Sequence, residues 1–273
     1  MRNRGRRKKR KIDYSHLFSL IIFVAIMIMA VHRILFHIDI SHNYVVPDDV
    51  EVEQSYYDYT DLINPPFEDD RYYSLPFIDV SSHQGDIDFK AVKAYGIENV
   101  ILRVGIRGYE KGESYLDSRF EEYYHQAKSA GMKIGVYFFS QAVNTDESIE
   151  EAIFVLKNII YKDIDLPVVY DLEYIDYAEA RANNLSDEQN TANAIAFLEK
   201  IKEHGYTPML YGSMSFLEDE YLLSKILNYK IWMAQYHEYP QFDYRLECWQ
   251  YTDKGEIPGI DEYVDLNYMF IEK

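Results

Sequence analysis

The chain has 273 residues, of which 48% are hydrophobic and 27% are charged, as is ordinary for a globular protein. Residues 1–38 carry nine of the 28 Lys and Arg residues and one of the 46 acids, so the remainder holds 19 basic and 45 acidic residues, a net charge of −26. A body this acidic repels nucleic acid, which excludes DNA and RNA as partners.

The N-terminal segment predicts a membrane anchor. A basic cluster at residues 2–11 precedes an apolar run at 17–31 that resumes at 34–36, which together reach the about 20 residues of a spanning helix. A cleaved signal peptide is disfavoured because its small-residue cleavage pattern is poorly matched at Ala30. A buried core helix has no packing partner nearby. We therefore predict a cytoplasmic tail at residues 1–16 and a transmembrane signal anchor at residues 17–38.

An extracellular stalk is predicted at residues 39–74, because this stretch is acidic and Tyr-rich, contains three prolines and lacks a sustained apolar period. The positive-inside rule exports everything after the anchor. The chain is therefore expected to be a single-pass protein of the cell membrane, with its N-terminus in the cytoplasm and residues 75–273 outside.

From residue 75 the pattern alternates between strand and helix. Strands are predicted at 76–82, 99–105, 133–140, 166–173, 207–213, 229–236, 246–252 and 262–268, and helices at 89–95, 118–130, 145–160, 187–204 and, more weakly, 214–223. Thr145 is the expected N-cap of the third helix. Such βαβ units predict a parallel sheet, and eight strands favour a barrel over an open doubly wound sheet, whose usual G-x-G-x-x-G or P-loop is missing after the first strand.

Acidic residues fall near the ends of several predicted strands, where parallel barrels carry their catalytic groups: Asp79, Asp171, Glu173 and Asp265. Asp171 and Glu173 are two apart, so both side chains should point to one face, and neighbouring like charges raise one pKa. A protonated acid beside an ionised one suits glycosidic cleavage. Two solvated acids in a loop are the alternative, and the D-x-E pattern alone does not decide.

Other residue types argue against a metal site, a serine nucleophile and a disulfide. His83 has no second His at a ligand spacing, so no metal site is predicted. The serines lack the G-x-S-x-G setting of a hydrolase nucleophile. The single cysteine, Cys248, excludes an internal disulfide and is interpreted as a packed core residue. Four aromatic residues could stack on sugars or fill the core, and the mid-strand position of Trp232 favours the core: Tyr137, Tyr211, Trp232 and Trp249.

A series of motifs stands in order along residues 76–268. It comprises DVSSHQG at 79–85, R-x-G at 103–105, G-x-Y at 135–137, LPVVYDLE at 166–173, Tyr211, WMAQY at 232–236, WQYT at 249–252 and VDLN at 264–267. In order and spacing these motifs resemble the glycoside hydrolase family 25 lysozymes, the Chalaropsis-type and phage or autolysin muramidases. Phe89 and Phe138 depart from the pattern, where the family commonly has Trp and His.

The resemblance implies an irregular TIM-like (β/α)5β3 barrel that cleaves the β-1,4 bond after N-acetylmuramic acid in the glycan strands of peptidoglycan. It implies Glu173 as the general acid, Asp79 and Asp171 flanking the sugar, and Asp265 shaping the site. No metal or organic cofactor is implied. The substrate-binding residues would be Gln84, Tyr137, Tyr211, Gln235, Tyr236 and Trp249.

Three questions stay open at this level. The second chemical step uses either a carboxylate nucleophile or the substrate's own acetamido oxygen, and the D-x-E spacing weakly favours the latter. A catalytically silent peptidoglycan-binding module is the alternative function, although all the acids are present. A glycosidase acting on another 2-acetamido glycan is the third.

Overall fold

The computed structural model describes residues 72–273. The predicted tail, the predicted membrane span and almost all of the predicted stalk lie outside the described residues and stay predictions. Within residues 72–273, no helix combines the length and the hydropathy needed to cross a bilayer.

Strands and helices alternate through the first two thirds of this region. The strands are β1 (Tyr72–Val80), β2 (Asn99–Arg107), β3 (Ser114–Leu116), β4 (Lys133–Phe139), β5 (Val168–Asp171), β6 (Pro208–Ser213), β7 (Lys230–Ala234), β8 (Cys248–Gly255) and β9 (Val264–Glu272). The helices are α1 (Phe89–Tyr95), α2 (Phe120–Ser129), α3 (Thr145–Ile159), α4 (Asp187–Glu203), α5 (Met214–Asp219) and α6 (Leu223–Ile226), with a 3₁₀ turn at Ser82–Gln84.

Eight of these strands form a closed barrel. The order around it is β1-β9-β8-β7-β6-β5-β4-β2, and the pairing of β2 with β1 closes the ring. Neighbouring strands are parallel except at β9, which is antiparallel to both β1 and β8. Five β/α units followed by three strands confirm the predicted irregular barrel, and closure at β1 rules out the open sheet.

Two apolar layers hold the barrel. The larger one lies between the strands and the helices around them. The smaller one fills the barrel interior with side chains such as Phe77, Ile101 and Val169. Since side chains alternate along a strand, the next inward positions after these residues are Asp79, Arg103 and Asp171. A dry interior layer thus lies directly beneath a polar layer at the carboxyl end of the parallel strands.

Several element boundaries differ from the prediction. β1 begins at Tyr72, three residues before the expected domain start, because its first residues pair with the end of β9. Asn144, not Thr145, is the N-cap of α3: its side chain accepts a hydrogen bond from the amide of Glu147. β5 ends at Asp171, so Glu173 lies beyond the strand. The hairpin strand β3 was not predicted, and the weak fifth helix divides into α5 and α6.

Candidate active site

A pocket opens at the end of the barrel where the parallel strands finish. Its walls include seven residues that the sequence singled out, namely Asp79, Gln84, Tyr137, Asp171, Glu173, Tyr211 and Asp265. Arg103, Trp232 and Gln250 complete much of the wall. Four carboxyl groups therefore converge on one cavity, as two pairs on different sectors of the rim.

Asp79 and Asp265 form the first pair. They are register partners on the antiparallel strands β1 and β9, and their carboxyl groups hydrogen-bond to each other. Asp79 is buried and accepts hydrogen bonds at Oδ2 from Nδ2 of Asn267 (2.8 Å) and Nε2 of Gln250 (3.2 Å). Burial first, then the charge of Asp265, raises the pKa of Asp79 well above its usual range, and burial raises the pKa of Asp265 to about 6. The pair therefore retains a proton at pH values where an isolated aspartate is ionised.

Asp171 and Glu173 form the second pair. Asp171 is the buried last residue of β5, beside Tyr211 of β6, while Glu173 lies at the open mouth, accessible from the pocket and enclosed by its walls. Burial, followed by the charge of Glu173, raises the pKa of Asp171 well above its usual range. Burial also raises the pKa of Glu173, against the opposing effect of its hydrogen bond with Asp171. Desolvation, more than the like-charge repulsion expected from the sequence, is thus the main cause of the raised pKa values in this pair.

One oxygen of Asp171 has acceptor capacity left. Oδ1 is buried and, among the described residues, accepts no hydrogen bond from an amide, hydroxyl or guanidinium group. A buried acceptor without a donor is costly unless something approaches it. This oxygen is therefore placed to accept a hydrogen bond from an N–H group of a bound ligand.

The backbone that carries the second pair is held from the neighbouring strand. The amide of Ser140 donates to the carbonyl of Asp171 (2.7 Å), and Nε2 of Gln141 donates to the carbonyl of Glu173 (3.4 Å). Oγ of Ser140 in turn donates to the buried carboxylate of Glu151 (2.6 Å), which pairs with Nε of Arg107 (2.8 Å). A buried ionic network thus lies behind the acid pair and fixes the start of the loop that carries it.

Gln250 links the two sides of the pocket. Its Oε1 accepts hydrogen bonds from the hydroxyl groups of Tyr211 (3.0 Å) and Tyr236 (3.1 Å), while its Nε2 donates to Asp79. On the next strand, Oδ1 of Asn267 accepts a hydrogen bond from Nε1 of Trp232 (2.9 Å). These two amides orient the Asp79 carboxyl group, and sequence reasoning did not assign either of them to the site.

Arg103, which forms an ion pair with Asp117, also holds the loop after β1. Nε of Arg103 donates to Asp117 (2.8 Å) and Nη2 donates to Oγ of Ser82 (3.2 Å). Gln84, expected to bind substrate, lines the pocket, but both polar atoms of its side chain are hydrogen-bonded within the protein. Its Oε1 accepts from the amide of Ser81, and its Nε2 donates to the carbonyl of Tyr263. Its contribution is to shape this edge of the pocket.

Three other sequence-predicted residues do not line the pocket. Trp249 is 1% exposed, packs in the outer core and donates from Nε1 to the carbonyl of Gln235 (2.8 Å). Its neighbour Gln250 takes the inward position, so the structure does not place Trp249 at the pocket, and its contact with substrate stays a prediction. The side chain of Gln235 is directed to Met214 and Gln241. Tyr236 lies at the rim, 56% exposed.

Trp232 was interpreted from the sequence either as a core residue or as a surface for stacking on sugars, and its position allows both. It is buried in the interior layer, with edge-to-face contacts to Phe77 and Tyr211, and also lines the pocket. His83 lies at the pocket edge. Within residues 72–273, no group of three or more His, Cys, Asp or Glu side chains is arranged to hold a metal ion.

The sequence model described as Glycosyl hydrolases family 25 matches residues 78–260, about two thirds of the chain. The chain belongs to this family. The matched region begins in β1 and ends after β8, so it includes every strand that lines the pocket except β9, which carries Asp265.

Curated relatives agree with this assignment. The family 25 domain is 29% identical over 191 residues to the autolytic lysozyme of Clostridium acetobutylicum, covering 70% of this chain and 54% of that protein. It is 29% identical over 208 residues to the lysozyme of Streptococcus phage Cp-7, covering 69% and 55%. The chain therefore spans about half the length of these two relatives.

Solved structures share the fold. A family 25 glycosyl hydrolase from Bacillus anthracis matches with a TM-score of 0.62 and 24% identity, over 74% of this chain and 91% of that one. The modular autolysin LytC from Streptococcus pneumoniae, in complex with a synthetic peptidoglycan ligand, matches with a TM-score of 0.65 and 22% identity, over 72% and 47%. At these identities the likeness concerns the fold alone.

The family 25 domain described here has the parts needed for acid-assisted bond cleavage. Glu173 places a carboxyl group of raised pKa at the pocket mouth, and Asp171 places a buried oxygen with acceptor capacity beside it. Gln250 and Asn267, which sequence reasoning did not assign to the site, follow the alternation of their strands: each lies two residues from an inward side chain, Cys248 and Met269 respectively. Which face points inward is known only once the strands are paired.

Proposed function

We propose that this chain is a lysozyme-type glycoside hydrolase that cleaves the β-1,4 bond after N-acetylmuramic acid in peptidoglycan. The observation that carries the proposal is the Asp171–Glu173 pair, one carboxyl group buried and one facing the open pocket, with raised pKa values on both. The names of the relatives support the substrate class, since both are called lysozymes.

Glu173 is the general acid in this proposal. A general acid must hold a proton near the working pH and must reach the leaving oxygen, and of this pair only Glu173 is accessible from the pocket mouth. Its raised pKa meets the first requirement. After bond cleavage the same group, now ionised, accepts the proton of the attacking water.

Asp171 stabilises the positive charge that develops on the sugar. Its free Oδ1 is suited to accept the N–H of the substrate's 2-acetamido group, which would orient the acetamido oxygen for attack on the anomeric carbon. This arrangement favours substrate assistance over a carboxylate nucleophile. Asp79 and Asp265 shape the opposite side of the pocket and hold it polar through Gln250 and Asn267.

Tyr137 and Tyr211 provide aromatic surface inside the pocket, and Tyr236 provides it at the rim. An aromatic ring offers an apolar face for a sugar ring and a hydroxyl group for its polar edge. The N-terminal anchor predicted at residues 17–38 would hold the enzyme at the outer face of the cell membrane, restricting it to nearby cell wall. Protease accessibility on intact cells tests this location, and a protected C-terminal domain would contradict it.

The decisive experiment is product analysis on purified peptidoglycan with the wild-type chain, Glu173→Gln and a matched control. Glu98→Gln is suitable, because Glu98 is exposed and precedes β2 at the opposite end of the barrel. We expect mass spectrometry to detect reducing-end N-acetylmuramic acid with the wild type and Glu98→Gln, and none with Glu173→Gln, whose circular dichroism spectrum should be unchanged.

Three outcomes would contradict the proposal. Peptidoglycan binding without new reducing ends from the wild type would identify a silent binding module. Cleavage that yields only N-acetylglucosamine reducing ends would identify a different 2-acetamido glycosidase. Full activity of Glu173→Gln would remove Glu173 from the acid role.

A further inference from the structure

Two exposed tyrosines contact each other outside the pocket and form a small aromatic surface. Tyr109 follows β2, and Tyr177 lies in the loop between β5 and α4. Their rings meet edge to face with centroids 5.5 Å apart, and each residue is still 41% exposed. We call these two residues the Tyr109–Tyr177 pair. Neither residue lines the pocket, and neither was singled out by the sequence.

The two loops that carry the pair are locked together by Arg181. Its backbone amide donates to the carbonyl of Tyr109 (3.1 Å), and its Nη2 donates to Glu147 of α3 (2.8 Å). The guanidinium group packs on Gly112, where an added Cβ would lie 1.9 Å from Nη1. Arg107 holds the same turn through a 2.6 Å hydrogen bond to the carbonyl of Gly112. The position of Tyr109 relative to Tyr177 is therefore fixed by several independent contacts.

The Tyr177 loop has its own internal brace. The amide side chain of Asn183 accepts a hydrogen bond from the backbone of Ile175 (3.0 Å) and donates to its carbonyl (2.7 Å) and to the carbonyl of Tyr177 (3.2 Å). An exposed aromatic residue on a braced loop presents its ring in a preset orientation, which lowers the entropic cost of binding.

The pair lies on the same end of the barrel as the pocket. β2 and β5 flank β4, whose Tyr137 and Phe139 line the pocket, and both loops leave the carboxyl ends of these strands. Tyr177 follows Glu173 by four residues in the same loop. A polymer that fills the pocket and extends over the β4 sector of the rim therefore meets the pair.

The charged residues beside the pair are mostly acidic, namely Glu110, Asp176 and Glu179, with Lys111 next to Glu110. They form no basic patch, so the aromatic rings, and not charge attraction, would hold the polymer. Neutral sugar rings match the aromatic faces and accept hydrogen bonds from their hydroxyl groups.

We propose that the Tyr109–Tyr177 pair is a remote sugar subsite for the same glycan strand whose scissile bond lies in the pocket. This inference rests on the proposed function, since it requires a polymeric glycan as substrate. The pair contributes to binding at a distance from the reacting bond, so it acts on strands long enough to reach it and has no effect on short ones.

The test compares cleavage of long and short glycan strands, prepared from peptidoglycan stripped of its peptides. The double variant Tyr109→Ala/Tyr177→Ala is expected to raise KM for long strands by about tenfold, with kcat unchanged and short strands cleaved normally. Tyr161→Ala is the matched control, because Tyr161 is 82% exposed at the opposite end of the barrel, between α3 and β5. Tyr109→Phe/Tyr177→Phe should retain most of the binding.

Equal KM values for the wild type and the double variant on long strands would overturn the inference, as would an equal loss on both lengths. A binding measurement separates this result from the proposed function. It compares the affinity for long strands of Glu173→Gln with that of the triple variant Glu173→Gln/Tyr109→Ala/Tyr177→Ala. If the wild type cleaves nothing, the proposed function fails, but weaker binding by the triple variant still supports the subsite and equal binding still refutes it.

Discussion

Nδ2 of Asn267 donates a 2.8 Å hydrogen bond to Oδ2 of Asp79, although the two residues lie 188 positions apart in the chain. The same amide accepts a hydrogen bond from the indole of Trp232 through Oδ1. Asn267 thus joins the first and the last strand of the barrel to a pocket wall contributed by β7.

Replacement of Asn267 by alanine should destabilise the fold by about 1–3 kcal/mol, because two buried polar partners lose their hydrogen bonds. The free energy of unfolding in denaturant measures this effect. Asn184→Ala is the matched control, since Asn184 is exposed and its truncation should cost less than about 0.5 kcal/mol. Equal stability of the two variants would show that the Asn267 network contributes nothing.

The activity should fall as the pH rises through the pKa of the Asp171–Glu173 pair, because Glu173 must carry a proton to act as an acid. Since burial raises both pKa values, this decline should begin at a pH above the ordinary glutamate range. Asp171→Asn should lower kcat by about a hundredfold or more, because an amide cannot stabilise the positive sugar. A pH–rate profile of both proteins tests this; a wild-type decline that begins within the ordinary glutamate range would contradict it.

Glu151 predicts a pH dependence of stability that is separate from catalysis. Burial raises its pKa from 4.5 to about 7 despite the ion pair with Arg107, so the folded state binds a proton that the unfolded state has already released. The stabilisation from this proton is complete below pH 4.5 and is lost as the pH rises to about 7.

Glu151→Gln should therefore match the wild type in acid and exceed its stability by about 3 kcal/mol above neutral pH. Unfolding free energies at an acidic and a mildly alkaline pH measure the difference. Glu150→Gln is the control, because the neighbouring Glu150 also contacts Arg107 but is exposed. A Glu151→Gln protein less stable than the wild type at alkaline pH would mean that the ion pair outweighs desolvation.

Gly112→Ala should destabilise the fold by more than Gly205→Ala. Both glycines have left-handed backbone angles, with φ of +72° and +83°. The backbone strain of an alanine should therefore destabilise both variants equally, by about 1 kcal/mol. Of the two, Gly112 is the one where the added Cβ collides with a neighbour, the guanidinium of Arg181, whereas at Gly205 no atom of residues 72–273 beyond its chain neighbours lies within 4 Å. Thermal unfolding of the two variants makes the comparison, and equal losses would show that Arg181 yields at no cost.

The alternation of strand and helix, the barrel and the inward position of Asp79 and Asp171 were predictable because they depend on local periodicity. The apolar runs of β2, β4 and β5 are buried on both faces, which is the signature of a parallel barrel. Boundaries were less predictable where a distant partner sets them: β1 begins at Tyr72 because β9 extends to Glu272.

Trp249 shows why part of the site could not be predicted. It and Gln250 are adjacent, so one faces the interior and the other faces the outer core, and composition cannot tell which. The pairing of Ala234 with Gln250 settles the matter by aligning β8 with the inward face of β7. A shift of one residue in that register would exchange the two side chains.

The sequence by itself determined the succession of strands and helices along the chain and the presence of acids near the strand ends, because these follow from the residue pattern of each segment. Only the tertiary structure decided which carboxyl groups pair, which oxygen of Asp171 remains available, and how Arg181 joins two loops into one aromatic surface. Those features depend on contacts between residues far apart in the chain, and their strength comes from burial, which no local pattern specifies.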